Sequence, residues 1–221
     1  MRKLTGAAFV SLDGVMQAPG GPTEDPTGEF DQGGWVFGIG DDVIDATLAA
    51  LFTPPYALLL GRRTYDIFAA YWPFVDGEMA DMGAALTAAD KHVVTRGDQP
   101  LGWANSDRLD GIAAIRALKD SDGPDLLIQG SSTLYPPLLA AGLIDELVLM
   151  TFPILLGTGK RLFGDGTPPR ALRLLDHRTG AKGVIVTRWA PAGNIPTADH
   201  PHPVSSVVET ERQRRMNAGT W

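Results

Sequence analysis

Apolar residues in this chain come in short runs separated by glycine, proline and acidic stretches, and the succession of run types sets out an order of elements. Leu4 to Leu12, after Met1-Arg2-Lys3, reads as a first buried strand. From Asp13 to Gly40 neither a strand nor a helix period is kept, and Gly, Pro, Asp and Glu dominate, which predicts a long loop. A loop of that length in a compact domain is either mobile or functional, because something must offset its ordering entropy. A helix is predicted over Asp41 to Phe52 and stops at Thr53-Pro54-Pro55, where two prolines forbid another turn. Tyr56 to Leu60 is an unbroken apolar run ended by Gly61, the pattern of a strand covered on both faces.

The alternation continues. Short helices near Arg63 to Ala70 and Gly77 to Thr87 precede a strand, Lys91 to Thr95, and a polar connection, Gly97 to Asp107. Leu109, Ile112, Ile115 and Leu118 recur every third residue and predict an amphipathic helix. Strand Asp125 to Gln129 leads into Gly130-Ser131-Ser132-Thr133 and a helix ending near Ala141. Its Pro136 and Pro137 fall in the opening turn, where amide hydrogens are not yet needed. Glu146 to Phe152 is another strand, followed by a Gly-rich loop through Gly166. Arg170 to Leu175 and Gly183 to Trp189 flank a turn and read as a hairpin. Repeated strand-helix-strand units imply an α/β fold, a mostly parallel sheet with helices on both faces and an antiparallel hairpin at one edge. The apolar pattern ends at Pro191. Residues 1–191 therefore form one domain, and 192–221 an extension that is disordered or packed on a partner subunit.

Composition narrows the chemistry. The absence of cysteine among 221 residues excludes a disulfide scaffold, a zinc ribbon, a thiolate nucleophile and a redox pair. A net charge of −7 without a long basic run argues against nucleic acid, while leaving room for a local basic pocket around one anionic cofactor. No apolar stretch is long enough for a membrane span, and Leu4 to Leu12 runs into Asp13 without a signal-peptidase site, so a cytoplasmic protein is expected. His200-Pro201-His202-Pro203 is a weak metal pair in a proline-rich tail, and no metal site is expected. His92 and His177 fall in strands without a Ser/Asp partner, leaving a serine hydrolase unsupported.

Three segments repeat one design, a buried strand followed by glycine and hydroxyl or arginine side chains. Leu60-Gly61-Arg62-Arg63-Thr64 suits a phosphate or pyrophosphate, the competing reading being a strand end and a helix cap. Val94-Thr95-Arg96-Gly97 lies at the carboxyl end of its strand, where open α/β sheets bind ligands, and could hold an isolated phosphate; an exposed loop arginine is the alternative. Gln129-Gly130-Ser131-Ser132-Thr133-Leu134 is the third. Together they point to one extended anionic ligand, a dinucleotide, across the sheet edge. Leu156-Gly157-Thr158-Gly159-Lys160 fails the nucleotide phosphate-loop pattern because Ile154 and Arg161 occupy its required glycine and hydroxyl positions. Ser11-Leu12-Asp13-Gly14 sets a carboxylate, or simply a turn, at the exit of the first strand.

Taken in order, these segments and the run Pro153-Ile154-Leu155-Leu156-Gly157-Thr158-Gly159-Lys160-Arg161-Leu162-Phe163 resemble the dihydrofolate-reductase-like family over about residues 2 to 190. The branch they resemble most holds the reductase domain of the bifunctional riboflavin-biosynthesis protein. The resemblance implies a three-layer fold with a twisted, mostly parallel sheet of about eight strands. It also implies an NADPH-dependent oxidoreductase passing hydride to a C=N or C=O of a pterin-like or ribosylaminopyrimidine-like substrate. By the same correspondence Gly61, Arg62 and Thr64 approach the adenine-side phosphates, Thr95 and Arg96 the 2′-phosphate, and Gly130, Ser131, Ser132, Thr133 and Leu134 the pyrophosphate and ribose. Ala8 and Phe9 flank the nicotinamide. Asp13 faces the substrate, Trp35 is a stacking lid or a loop anchor, and Asp13, Asp45 or ordered water supplies the proton.

The chain departs from dihydrofolate reductases where their double glycine, often with a cis linkage, is replaced by Gln129-Gly130. It also lacks the cysteines and zinc motif of the deaminase partner domain. The alternatives are a true dihydrofolate reductase using Asp45 and a non-catalytic NADPH-binding module. A homodimer is expected from the prevalence of closed symmetric pairs.

Overall fold

The computed structural model describes residues 1–198 and 205–220; the His200 and His202 pair lies outside them. In chain order the elements are β1 (Leu4–Ser11), α1 (Asp42–Leu51), β2 (Tyr56–Gly61), α2 (Arg62–Tyr71), α3 (Ala80–Ala88), β3 (Asp90–Val94), β4 (Ser106–Leu109), α4 (Gly111–Asp120), β5 (Asp125–Gln129), α5 (Tyr135–Ala140), β6 (Glu146–Phe152), β7 (Leu172–Thr179), β8 (Ile185–Pro191) and α6 (Val207–Asn217). The strands form one eight-stranded sheet in the order β4-β3-β2-β5-β1-β6-β8-β7. All pairs from β4 to β6 are parallel; β8 runs antiparallel to β6 and β7 antiparallel to β8.

The all-apolar reading of β2 holds because the strand is central, and all six of its residues are buried. Alternate side chains of the parallel strands feed two cores. One joins Ala7, Leu58, Leu60, Leu127 and Met150 to Ile44 of α1, Tyr65 of α2 and Leu86 of α3. The other joins Leu4, Ala8, Leu59, Ile128 and Leu147 to Ile115 of α4 and Leu138 of α5. The chain moves outward from β2 to β4 and then returns to insert β5 beside β1. Right-handed crossovers therefore put α1, α2 and α3 on one face and α4 and α5 on the other.

Three expectations change. The connection after β3 contains a strand, β4, whose Ser106, Asp107 and Arg108 gave no apolar alternation because it is an edge strand. Leu109 belongs to β4, and the helix begins two residues later at Gly111. The first hairpin strand continues to Thr179, past the expected Leu175, through a bulge between Leu174 and Asp176. Within the extension, α6 forms without an apolar face: Ser206 caps it, and Glu209–Arg212 and Glu211–Arg214 pairs span its turns.

Candidate functional site

Neighbouring strands β2 and β5 send their following helices to opposite faces of the sheet, which makes their carboxyl ends a topological switch point, the place where open α/β sheets bind ligands. Two of the expected ligand segments meet there. The Gly61 amide donates to the Ser131 hydroxyl at 2.9 Å, and the Ser131 amide donates to Thr64 Oγ1 at 3.2 Å. The Gly130 amide donates to the Ala7 carbonyl of β1, tying in the third strand. Gly130 and Ser131 both have left-handed backbone, with φ of 69° and 57°. Among the described residues the one cis bond is Pro54–Pro55, so the Gln129–Gly130 linkage is trans.

Around this knot the expected residues separate by role. Ser132 and Thr133 keep exposed surface, whereas Leu134 is buried and packs under the helices. Arg62 is committed elsewhere: its guanidinium donates to Asp66 at 2.9 Å and to the Gln99 carbonyl at 3.0 Å. Arg63, more exposed, lies 3.6 Å from Asp25. No side chain caps the first turn of α2, which leaves its opening amides without a side-chain acceptor. One strand further out, Thr95 accepts the Gly97 amide and Arg96 is exposed, with no hydrogen bond to any described residue.

At the β1 end, Phe9 is half-buried on the α1 side, its ring edge-on to Phe152 at 6.0 Å, while the Ala8 side chain points to the other face. Gln129, paired with Ala7 in the sheet, shares the Phe9 face. It is 8% exposed, and its Oε1 is buried without a donor. A buried unpaired carboxamide oxygen is costly unless a ligand or water supplies a hydrogen. In the sequence Gln129 has no role of its own beyond heading the third ligand segment and replacing a glycine; an amide directly after the apolar run Leu126 to Ile128 is the signal available.

The long loop is pinned rather than free. Asp13 accepts hydrogen bonds from Ser11 Oγ at 2.6 Å and from the amides of Leu156 and Gly157 at 3.1 and 2.8 Å. These donors, Ser11 first, hold its carboxyl at about 2, well below the usual aspartate range. Gln17 donates to the carbonyls of Asp25 and Thr27 and accepts the Lys160 amide at 2.9 Å. The Lys160 ammonium is paired with Asp25 and donates to Thr27. Burial alone would raise the Asp25 pKa, but the Lys160 and Thr27 hydrogen bonds and the lysine charge outweigh it and keep the pKa low. The run rejected as a phosphate loop thus serves as the clamp of the 13–40 segment. Its glycines and Lys160 were visible in sequence; their partners, more than a hundred residues away, were not.

Trp35 anchors the same loop. Its ring is buried edge-on against Phe152 at 5.2 Å, and its Nε1 donates to the Gln17 carbonyl, so no ring face is offered as a lid. Asp45 stands exposed in the first turn of α1, whereas the carboxylate held there is Asp41, which accepts the amides of Val43 and Lys182. No cluster of three or more His, Asp or Glu suited to a metal occurs among the described residues. No helix among them is long and apolar enough to cross a membrane.

A parallel sheet of this strand order, with a switch point at β2/β5 and an antiparallel pair beyond β6, is the dihydrofolate-reductase-like fold. Residues 2–186 match the RibD C-terminal domain family, and the chain belongs to it. It is 27% identical over 140 residues to the uncharacterized protein YyaP of Bacillus subtilis (strain 168), covering 60% of this chain and 73% of that protein. Its fold is similar to a putative riboflavin biosynthesis protein from Shewanella sp. PV-4, with a TM-score of 0.65 at 20% identity over 86% of this chain and 99% of that one. It is similar also to a pyrimidine reductase-like protein from Corynebacterium diphtheriae, with a TM-score of 0.56 at 16% identity over 87% and 93%. Dihydrofolate reductase from Enterococcus faecalis, complexed with NADP(H) and RAB-propyl, superimposes with a TM-score of 0.55 at 15% identity over 86% and 96%.

Proposed function

We propose that this protein is an NADPH-dependent reductase of a flat heterocycle, of the pterin or ribosylaminopyrimidine class. The observation that carries the reading is a row of four adjacent strand ends, β3, β2, β5 and β1, bearing Thr95-Arg96, Gly61 to Thr64, Gly130-Ser131 and Phe9 to Asp13 in that order. At about 4.8 Å per strand the row spans about 14 Å, a length an extended dinucleotide can follow.

The residues present fit such a cofactor. The uncapped first turn of α2, the nearby hydroxyls of Ser132 and Thr133, and the free guanidinium of Arg96 supply donors in a line, and the Gln129 oxygen lacks one. The bound reduced nicotinamide would supply hydride, the one chemical group the protein itself does not provide. The chain's own part is alignment. The Gly61–Ser131–Thr64 hydrogen bonds fix the switch point, and the Asp13 and Lys160 clamps hold the loop against the carboxyl end of β1. Phe9 and Gln129, sharing one face, replace Trp35 as the groups to contact the heterocycle.

Asp13, ionised at neutral pH and saturated with donors, is unsuited to deliver a proton. Asp45, exposed, is not the enclosed carboxylate that the true dihydrofolate reductase alternative needs, so we assign protonation to solvent-derived water.

The test is a titration with NADPH and NADH, followed by a panel of pterin, folate and ribosylaminopyrimidine substrates read by loss of reduced-nicotinamide absorbance. Oxidation of NADPH with a pyrimidine or pterin, and a preference over NADH abolished by joint Thr95→Ala and Arg96→Ala substitution, is the expected result. No NADPH binding at millimolar concentration overturns the reading, and binding without turnover of any substrate makes the chain a cofactor-binding module.

A further inference from the structure

Lys91 of β3 is fully buried, paired in the sheet with Leu58 of β2 and so turned to the α1, α2 and α3 side. An apolar side chain would fill this position without taking an ammonium out of water. All three of its hydrogens are used: the ammonium donates to the carbonyls of Leu86, Thr87 and Ala89 at 2.9, 2.8 and 2.6 Å, at the carboxyl end of α3. Helix ends leave such carbonyls without partners of their own. The same ammonium stands 4.3 Å from the centre of the Trp103 ring, a cation on an aromatic face. Burial lowers the Lys91 pKa to about 8 against the opposing pull of Asp90, so the group keeps its charge at neutral pH.

Trp103 belongs to the connection between β3 and β4, residues 95–105, and is itself buried. Its amide donates to the Tyr65 hydroxyl of α2 at 2.9 Å and its Nε1 to Thr87 Oγ1 of α3 at 3.1 Å. Two residues on, the Asn105 carboxamide donates to the Ala88 carbonyl at 3.0 Å. Nearer the start of the connection, the Gln99 carbonyl accepts both Arg62 of α2 at 3.0 Å and Arg108 of β4 at 2.8 Å. A helix end open to water needs no lysine. This one lies beneath Trp103, and Lys91 supplies the hydrogens that the indole keeps water from supplying, so the buried cation and the docked connection depend on each other.

We propose that Lys91 and Trp103 are positioning residues for cofactor selection, fixing the 95–105 connection so that Thr95 and Arg96 meet the phosphate that distinguishes NADPH from NADH. The proposal rests on the cofactor reading given above. Thr95 and Arg96 open the connection, and Arg96 is exposed without a hydrogen bond to any described residue, so nothing on its own side chain holds it in place. An arginine on a wandering loop would lose backbone and side-chain freedom at every binding event. Anchored at Gln99, Trp103 and Asn105, the connection has already lost its backbone freedom on folding, and only the Arg96 side chain is left to order. Arg62, turned onto Gln99, serves the same end from α2.

Titration of the full chain with NADPH and with NADH, beside hydrogen exchange of the protein without cofactor, tests this in Lys91→Met, Trp103→Phe and Lys119→Met. Lys119 is a second buried lysine, paired with Asp145 below α4 on the other face of the sheet, and controls for the loss of a buried ammonium as such. Lys91→Met is expected to weaken NADPH binding by about tenfold to a hundredfold, to leave NADH binding unchanged, and to speed exchange in residues 95–105. Trp103→Phe keeps a ring over the ammonium but loses the Thr87 hydrogen bond, and should shift both readouts the same way by less; if Lys91→Met does not fold, this variant decides. Lys119→Met should keep the wild-type ratio of the two affinities. A folded Lys91→Met with the wild-type ratio overturns the proposal, as does an equal change of ratio in Lys119→Met. A wild type that binds no NADPH overturns the cofactor reading and the selectivity role with it, whereas NADPH bound in preference to NADH by wild type and Lys91→Met alike overturns the positioning role alone.

Discussion

The Gly157 amide donates a 2.8 Å hydrogen bond to the carboxylate of Asp13, 144 residues earlier in the chain. With the Leu156 amide and Ser11 Oγ on the other oxygen, that carboxylate joins the exit of β1 to the loop after β6. Replacing it should loosen both loops together. Asp13→Ala is expected to lower unfolding free energy by about 1–3 kcal/mol, the cost of stripping an ionic acceptor from its donors, and to raise the KM of the heterocycle. The pH dependence has a definite sign. A carboxyl held at about 2, below its usual 3.8, stabilises the fold above about pH 4 and loses that contribution as pH falls towards 2. Urea unfolding should therefore show wild type and Asp13→Asn separated at pH 7 and converging near pH 2. The pH profile of kcat between 5 and 9 should keep its shape in Asp13→Asn, because Asp13 is no proton donor; loss of a limb would show the opposite.

Ser131 does two things at once, accepting the buried Gly61 amide and adopting left-handed backbone. Ser131→Ala removes the acceptor and keeps the strained Cβ, so a loss of about 1–3 kcal/mol is expected. Ser131→Gly loses the same hydrogen bond but relieves the backbone, and should recover about 1 kcal/mol of it. Denaturant melts order the three proteins, and NADPH affinity should fall in both variants if the knot shapes the switch point.

The strand-helix alternation made most of the sheet legible, because parallel strands covered on both faces are written as continuous apolar runs such as Tyr56 to Leu60. β4 was not, since an edge strand paired on one side has no need of apolar alternation, and Leu109 happened to continue the three-residue spacing of α4. The site was legible as segments rather than as contacts. Gly61, Thr64 and Ser131 were singled out separately, but that they bond to one another follows from β5 inserting beside β2, which no local pattern records. The resemblance singled out Arg62 for the phosphates, but helix geometry turns it onto Asp66 four residues on and leaves Arg63 outward. In the stretch without periodicity Trp35 stood out as a stacking lid or an anchor, whereas Gln17 and Asp25, ordinary polar residues of a loop, carried no local sign of the partners that fix them.

Gly159 closes the clamp. Its φ of +113° lies where side chains are strained, and a Cβ there would stand 2.8 Å from Val15 Cγ1 and 2.9 Å from the Phe30 ring. Both neighbours are buried core residues with little room to retreat. Gly159→Ala should cost about 1–3 kcal/mol from overpacking and raise protease susceptibility in residues 13–40 more than elsewhere. Uniform susceptibility along the chain would mean that the loop does not depend on this contact. Gly157→Ala, with open space around its Cβ position, is the control that isolates crowding from backbone strain.

Gln129 separates a binding role from a structural one. Its Oε1 is buried without a donor, so the side chain contributes less to stability than its burial suggests. Gln129→Leu removes the unpaired oxygen at similar volume, and the melting temperature should hold or rise. If the carboxamide reads an N–H of the bound heterocycle or of the nicotinamide amide, the same substitution should raise a KM by about tenfold to a hundredfold, the equivalent of one hydrogen bond to a buried group. Gln129→Glu keeps the acceptor and adds charge to an apolar face, so it should destabilise while retaining part of the affinity. A Gln129→Leu protein with lower melting temperature and unchanged KM would assign this residue to the fold alone.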